Sequence, residues 1–212
     1  MSEKLKSRKL TGSVPTKILV PLLEKASLEE PSDSTMIDLC SNLLVSAGLE
    51  TSVPPRYVHI VGELNSRQAN LFMEIVTKGQ DLEERDLANP VFLLRQRDIE
   101  CRLDRLLKRK RLTANDVYVE FMDDLEGPCV ALTDLWVNTT RGRCGLVPTN
   151  KNKFGDFGAQ IDIQILSSLG LFDEIRVHRR HELHGVADIT ILYFLLTEMG
   201  LDFFQAVTGK FT

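Results

Sequence analysis

A helical spacing of apolar residues, interrupted by a polar turn, is the feature that most constrains the fold of this chain. Residues 15–26 and 36–47 each place apolar side chains three and four positions apart, which is typical of helices with one buried face. The turn between them, SLEEPSDS, contains Pro31, which cannot continue a helix, and small polar residues that can cap the next one. Gly48 then supplies a helix end. The spacing predicts an antiparallel helical hairpin.

The next segment repeats this pattern of helices and stops. A Pro pair in SVPPRYVHIVGEL can open a short helix. Asn65 and Gln68 have the spacing of a capping box, in which the two side chains satisfy backbone groups at the start of a helix. An apolar stripe follows and ends at Gly79. We therefore expect a flexible basic tail over residues 1–13 and a helical bundle over residues 14–79.

Residues 80–126 are expected to form a linker and a charged helical pair. The segment 91–111 has eight basic and three acidic residues, whereas residues 112–126 have five acids and no base. On a helix the first segment places its apolar stripe opposite a basic side. That basic side consists of Arg97, Arg105, Lys108 and Arg109. It can track phosphates, but neutralisation by the acidic segment is the favoured reading, because charge runs are usually solvated surface.

The last third of the chain combines helical and strand patterns. Residues 127–158 are rich in Gly and Pro and are expected to be an irregular, loop-rich connection in which only VALTDLWV looks ordered. In AQIDIQILSSLGLF the apolar residues fit either a strand or a helix, and the Leu-Gly-Leu that follows favours a helix. DEIRVH and DITILYFLL are rich in strand-forming residues and bracket a polar tip. A final helix then gives residues 159–212 the order of a winged-helix-like unit.

The predicted fold class is therefore mainly α: an N-terminal helical bundle with a C-terminal winged-helix-like unit that carries a small β-hairpin. The formal net charge of −4 argues against a polyanion binder by bulk charge. The four cysteines form no CxxC pair, which indicates a reducing compartment. No apolar run approaches the ~18 residues of a membrane helix. We expect a cytoplasmic protein without a membrane span.

Two long stretches of the chain resemble a known family. The run PLLEKASLEEPSDSTMIDLCSNLLVSAG, followed by RYVHIVGELNSRQANLFMEIV, is similar to the pattern of the Abi-alpha (abortive infection alpha) family. Its marks are ASLE at 26–29, SNLL at 41–44 and the Leu-Asn-Ser that precedes Arg67. The tail LSSLGLF…YFLLTEMGLDFF looks like the family's closing pattern. The likeness covers roughly residues 15–79 and 160–207, with Cys40 where the family usually has Trp.

This resemblance implies a helical protein of bacterial antiphage defence, in which infected cells stop growing or die before phage matures. It implies no catalytic residues. We expect an effector or regulator that acts through a protein partner or self-association. A winged-helix nucleic-acid-binding protein or transcriptional regulator is the alternative, and a nuclease or other enzyme is the least favoured reading. Whether the chain is an enzyme stays open, and no cofactor is expected.

Besides the basic side of residues 91–111, the candidate nucleic-acid-binding residues lie in the predicted wing. Arg176, Arg179 and Arg180 can contact a nucleic-acid backbone. The helix before the wing, residues 159–169, has no Lys or Arg with which to approach phosphates. A wing used for packing or for a protein partner is therefore favoured over one that binds DNA.

The wing also contains the histidine-rich sequence HRRHELH. Its histidines are His178, His181 and His184. The sequence lacks the HExxH spacing with which two histidines on one helical face bind zinc. No catalytic constellation with a known spacing is present either. We therefore expect neither a metal site nor a recognisable catalytic site, and a polar loop tip is the simpler interpretation of the histidines.

Overall fold

The computed structural model describes residues 14–29, 34–48, 53–77, 91–108, 130–139, 142–144, 157–180 and 186–209. Within these ranges the chain is mainly helical, with seven α-helices and one small antiparallel sheet of four strands. In chain order the elements are α1 (Thr16–Leu28), α2 (Ser34–Gly48), α3 (Pro55–Glu63), α4 (Ser66–Thr77), α5 (Val91–Leu107), β1 (Val130–Thr139), β2 (Gly142–Cys144), α6 (Phe157–Ser168), β3 (Phe172–Arg180), β4 (Val186–Leu196) and α7 (Glu198–Thr208). The mainly helical prediction is confirmed.

The chain divides into two compact units. The first unit comprises Met1–Asn70 together with Met199–Thr212, and the second unit comprises Leu71–Glu198. The predicted C-terminal unit, 159–212, is therefore split between the two, because α7 belongs with the N-terminal helices.

The core of the first unit is built from helices with one buried face. In α1 the buried residues are Ile18 and Leu22, which lie one turn apart. Helix α1 contacts both α2 and α3. The α2 side chains in the core are Met36, Leu39, Cys40 and Leu43. The two helices predicted around the acidic turn are thus present, and the residues of the turn from 30 to 33 lie outside the described ranges.

Helix α7 is held in the first unit by side chains of α2. The Asn42 amide donates to the carbonyl of Val207 at 2.6 Å, and the buried Ser46 hydroxyl donates to the carbonyl of Ala206 at 2.9 Å. The last carbonyls of a helix have no partner within the helix, so these donors satisfy groups that would otherwise need water. Phe203 of α7 also packs edge-to-face on Tyr57, with ring centroids 5.5 Å apart.

The predicted capping box is present at the start of α4. The backbone N–H of Gln68 donates to Oδ1 of Asn65 at 2.9 Å, and the backbone N–H of Asn65 donates to Oε1 of Gln68 at 3.1 Å. Each side chain therefore satisfies a backbone N–H that lies at the helix start. The apolar stripe that follows is buried at Phe72, Ile75 and Val76.

The second unit contains the sheet, whose strand order is β2-β1-β4-β3 with antiparallel neighbours. Strand β4 pairs with β1 on one side and with β3 on the other. The sequence predicts a loop-rich connection over 127–158 in which only residues 130–137 are ordered; those residues belong to β1, and the prediction is corrected for residues 138–139 and 142–144, which are also strand. The β3–β4 pair is the predicted hairpin, but it is half of a larger sheet.

A helix precedes β3, as the Leu-Gly-Leu sequence predicts. Helix α6 is followed by Gly170 with a φ of 80°, a conformation that favours glycine. The N–H of Gly170 donates to the Ser167 carbonyl at 2.8 Å, and the N–H of Leu171 donates to the Leu166 carbonyl at 3.0 Å. These are the two backbone hydrogen bonds of a Schellman helix end. Leu166 and Leu171 are both buried.

On one face of the sheet, β4 contributes the fully buried residues Ile189, Ile191 and Tyr193. Helix α5 contacts β4 and helix α6 contacts β3. The α5 stripe at Ile99, Leu103 and Leu106 is also fully buried. In the part of the chain that the structure describes, no helix combines the length and the apolar character needed to cross a membrane.

Candidate functional site

Strand β3 places the candidate arginines on its two opposite faces. Successive residues of a strand point to opposite sides of the sheet. Arg176 and Arg180 therefore share one face with His178, and all three are exposed. Arg179 falls on the other face with Val177, which is buried. Of the three arginines that are close in the sequence, Arg176 and Arg180 thus lie on one face of the sheet and Arg179 lies on the other.

Arg179 is directed towards α5. Its Nε lies 3.9 Å from Oδ1 of Asp104, with side-chain exposures of 41% and 58% for the two residues. An ion pair this exposed contributes little stability, about 0–1 kcal/mol. It nevertheless places Arg179 beside an acid and apart from Arg176 and Arg180.

Tyr193 lies beneath this pair on the buried face. Burial and, to a lesser degree, the Glu100 charge raise the pKa of Tyr193 to about 12, against the opposing effect of Arg179. Within the described residues the Tyr193 hydroxyl has no hydrogen-bond partner. The phenol therefore stays protonated at neutral pH and cannot act as a base there.

We call the residues of β3 and β4 that lie around His178 on its face of the sheet the open strand face, which consists of the exposed Arg176, His178 and Arg180 and the half-buried Asp188 and Thr190. The strand register pairs His178 with Thr190 and Arg180 with Asp188. His178 Nδ1 lies 2.9 Å from Oγ1 of Thr190, and His178 Nε2 lies 3.8 Å from Oδ1 of Asp188. The imidazole is therefore held in place while 58% of its side chain stays exposed.

The row through His178 continues onto β1. Thr190 is opposite Trp136 in the register, and Asp188 is opposite Asn138. Trp136 is the single Trp of the chain. The row thus brings together three strands from positions that are far apart in the sequence.

The open strand face contains both signs of charge. Arg176 and Arg180 are exposed cations, while Asp188 is a half-buried acid on the neighbouring strand. Glu174 is exposed two residues before Arg176 and falls on the same face. The positive charge is therefore concentrated from Arg176 to Arg180.

The basic side of α5 is exposed, as the helical spacing predicts. Arg97, Arg105 and Lys108 are exposed, while the apolar stripe of the same helix is buried. The Arg105 Nε donates to the Cys101 carbonyl at 3.4 Å, which keeps that side chain along its own helix. Arg109 and the acidic segment 112–126 lie outside the described residues.

The histidines do not form a metal site in the described ranges. The His178 ring nitrogens face Thr190 and Asp188. His181 and His184 lie outside the described residues. Among the residues that the structure describes, no group of three or more His, Cys, Asp or Glu side chains is placed to hold a metal ion.

The thiol of Cys40 is unsuited to nucleophilic chemistry. Cys40 is buried in α2, and burial raises its pKa from 9.0 to about 11. The negative charge of Glu29 adds to this rise, and Lys25 opposes it. Because the thiolate is the reactive form, this side chain acts as a small apolar group of the core.

Helix α1 exposes several apolar side chains, one of which the helical spacing predicts to be in the core. Leu23 belongs to the predicted apolar stripe but is 51% exposed. Val20 and Leu28 are 43% and 81% exposed. The core contact of α1 is made by Ile18 and Leu22, so a residue 100° further round the helix is directed outwards.

In comparisons with known proteins, no protein-family model, no curated protein and no solved structure matches this chain.

Proposed function

We propose that this chain is a cytoplasmic bacterial antiphage defence protein of the Abi-alpha type that acts by binding another protein. The motifs that resemble this family fall on α1 to α4 and on the segment from α6 to α7. The observation that supports a protein partner is the exposure of Val20, Leu23 and Leu28 on α1, the helix that carries the ASLE sequence.

Exposed apolar side chains are common singly, but these three lie within nine residues of one helix. Val20 and Leu23 are three positions apart and are therefore neighbours on the helix surface. Complete burial of a Val or Leu side chain is worth about 1.5–3 kcal/mol. A partner that covers this surface gains stability from it, and the free chain loses little when these residues are changed.

The test is a phage-protection assay with variants of this surface. Induced expression is expected to slow growth or protect cells from phage, and the double variant Val20→Ser/Leu23→Ser, which changes the two neighbouring residues, is expected to lose that effect while its thermal unfolding stays unchanged. Lys17→Ser, an exposed polar position of the same helix, is the matched control and should behave like the parent. An expressed, folded parent with no effect on growth or phage would rule out the defence function.

A second candidate function is nucleic-acid binding by a winged-helix-like protein. The order α6, β3, β4, α7 is that of a winged-helix half, and Arg176 and Arg180 are exposed on β3. Helix α6 contributes Gln160 and Gln164 and no cation, so the strands are the contact surface.

The second function predicts binding that falls steeply with salt, because cations of the protein displace counterions from phosphates. The measurement is the affinity for labelled oligonucleotides at two or more salt concentrations. Absence of binding at low salt would end this second proposal without affecting the first.

A further inference from the structure

We infer that the open strand face binds single-stranded nucleic acid, with a base stacked on His178 and the backbone held by Arg176 and Arg180. This inference rests on the second proposed function and specifies its ligand and its surface. It differs from the winged-helix reading, in which a helix enters the groove of a duplex.

The position of the His178 ring is the first argument. Nδ1 is 2.9 Å from the Thr190 hydroxyl and Nε2 is 3.8 Å from the Asp188 carboxylate, yet the side chain is 58% exposed. A planar ring that is both exposed and held by its neighbours is already ordered before a ligand arrives. Histidine is one of the side chains on which unpaired bases stack.

The second argument is the arrangement of charge around that ring. Arg176 and Arg180 are two residues before and two residues after His178, so all three share a face. At roughly 3.3 Å per residue, the two arginine positions are about 13 Å apart along the strand. An extended single strand that crosses the ring can place phosphates near both cations.

A duplex fits this surface less well than a single strand. The faces of paired bases are covered by their neighbours in the stack, so a protein ring can stack on a base only after the base is displaced. Helix α6 contains no Lys or Arg that would direct it to a groove. The acids Glu174 and Asp188 lie beside the two arginines, and their negative charges repel phosphates that extend beyond Arg176 and Arg180.

The test compares four labelled probes at about 50 mM salt, where electrostatic contacts are strong. The probes are a single-stranded RNA of about eight nucleotides, the same sequence as single-stranded DNA, the corresponding duplex, and a polyphosphate of equal charge. Binding is followed by anisotropy.

We expect either or both of the single strands to bind at least about tenfold more tightly than the duplex and the polyphosphate, in keeping with one stacked base. His178→Ala should weaken single-strand binding by about tenfold and leave polyphosphate binding unchanged. Arg176→Ala and Arg180→Ala should each lower the salt slope by about 0.7, the value for one phosphate contact on a single strand. RNA and DNA arms that differ would show whether the sugar is also recognised.

Arg179→Ala is the matched control, because it removes the same charge from the same strand but on the opposite face. It should leave single-strand binding unchanged. Circular dichroism of every variant checks that the fold is retained.

Several outcomes would overturn the inference. One such outcome is that the duplex binds as tightly as the single strands. Another is that Arg105→Ala/Lys108→Ala weakens nucleic-acid binding while the β3 variants do not. Either result would keep a nucleic-acid-binding function but place it away from the open strand face. Equal binding of polyphosphate would reduce the face to a general anion surface, and tighter binding of an acidic peptide of equal charge would indicate a protein ligand. No binding of any nucleic acid would remove both this inference and the second proposed function.

Discussion

The first unit buries its apolar residues with the period of a helix, whereas strand β4 of the second unit alternates only from Ile189 to Tyr193 and is then buried at every position to Leu196. In α1 one step along the chain moves from the buried Leu22 to the half-exposed Leu23. In β3 one step moves from the exposed Arg176 to the buried Val177. In α1 the two neighbours are both leucines, so only the geometry of the helix separates them, whereas in β3 the charged Arg176 and the apolar Val177 already differ in composition.

The largest expected effect tests this comparison with one buried and one exposed residue from each unit. Leu22→Ala and Ile191→Ala each remove a fully buried side chain, one in each unit, and should lower the free energy of unfolding by about 2–5 kcal/mol. Leu23→Ala and Arg176→Ala should stay within about 0.5 kcal/mol of the parent. Urea unfolding followed by circular dichroism measures both pairs. A large loss for either exposed variant would show that the assigned face is wrong.

The next effect compares a thiol from each unit. Because burial raises the pKa of Cys40 from 9.0 to about 11, its thiolate fraction near pH 8 is about a hundredfold below the ordinary value. Cys101 is exposed on α5. Iodoacetamide should therefore modify Cys101 first, and Cys40 about a hundredfold or more slowly in the folded protein. Peptide mapping by mass spectrometry distinguishes the two sites, and equal rates would contradict the burial of Cys40.

The raised pKa also fixes the sign of a stability change. Between pH 9.0 and about 11 the folded chain keeps the Cys40 proton, while the unfolded chain loses it. The contribution of this group is therefore fully present below pH 9.0 and is lost as the pH rises through about 11. In Cys40→Ala this part of the alkaline loss should be absent.

Replacing a glycine in each unit with alanine is expected to change the free energy of unfolding by a smaller amount and with opposite signs. Gly170 of the second unit has a φ of 80°, so Gly170→Ala should lower the free energy of unfolding by about 1–2 kcal/mol. Gly62 lies inside α3 of the first unit, and an added Cβ there meets no atom within 4 Å. Gly62→Ala should therefore raise the free energy of unfolding by about 0.5–1 kcal/mol. Thermal unfolding of the two variants gives the signs directly.

The smallest effect concerns the ion pair between α5 and β3. Asp104→Ala should lower the free energy of unfolding by less than about 1 kcal/mol, because both partners are exposed. The effect should shrink as salt is added. A change above that limit, measured in Asp104→Ala and in the double variant with Arg179→Ala, would indicate that the pair is more than a surface contact.

Sequence patterns were sufficient where the deciding signals are local. The capping pair Asn65 and Gln68 lies within one helical turn, and Gly170 ends α6 next to its own last turn. The sequence indicates that residues 130–137 are ordered but not that they form a strand, because β1 depends on a distant partner: the Thr133 hydroxyl donates to the carbonyl of Leu192, 59 residues away. No local pattern in residues 130–139 specifies that pairing, and the Gly-rich flanks favour a loop.

For the candidate site, too, the local pattern was predictable from the sequence and the long-range pairing was not. The two-residue period of a strand separates Arg179 from Arg176 and Arg180, but only the packing of α5 decides which face is covered. Thr190 and Asp188 were missed because the register of β3 against β4 is not written in either strand alone. The resemblance to a defence family remains a prediction that the phage assay will test.

The place of β3 in the sheet has a consequence for solubility. Within the described strand order β3 is at the margin, with β4 on one side only, and its nine residues include five charged ones: Asp173, Glu174, Arg176, Arg179 and Arg180. A bare strand margin invites pairing with another copy of the chain, and closely spaced charges oppose that approach. Replacing these five charged residues with apolar ones should therefore allow β3 strands of different copies to pair into intermolecular sheets.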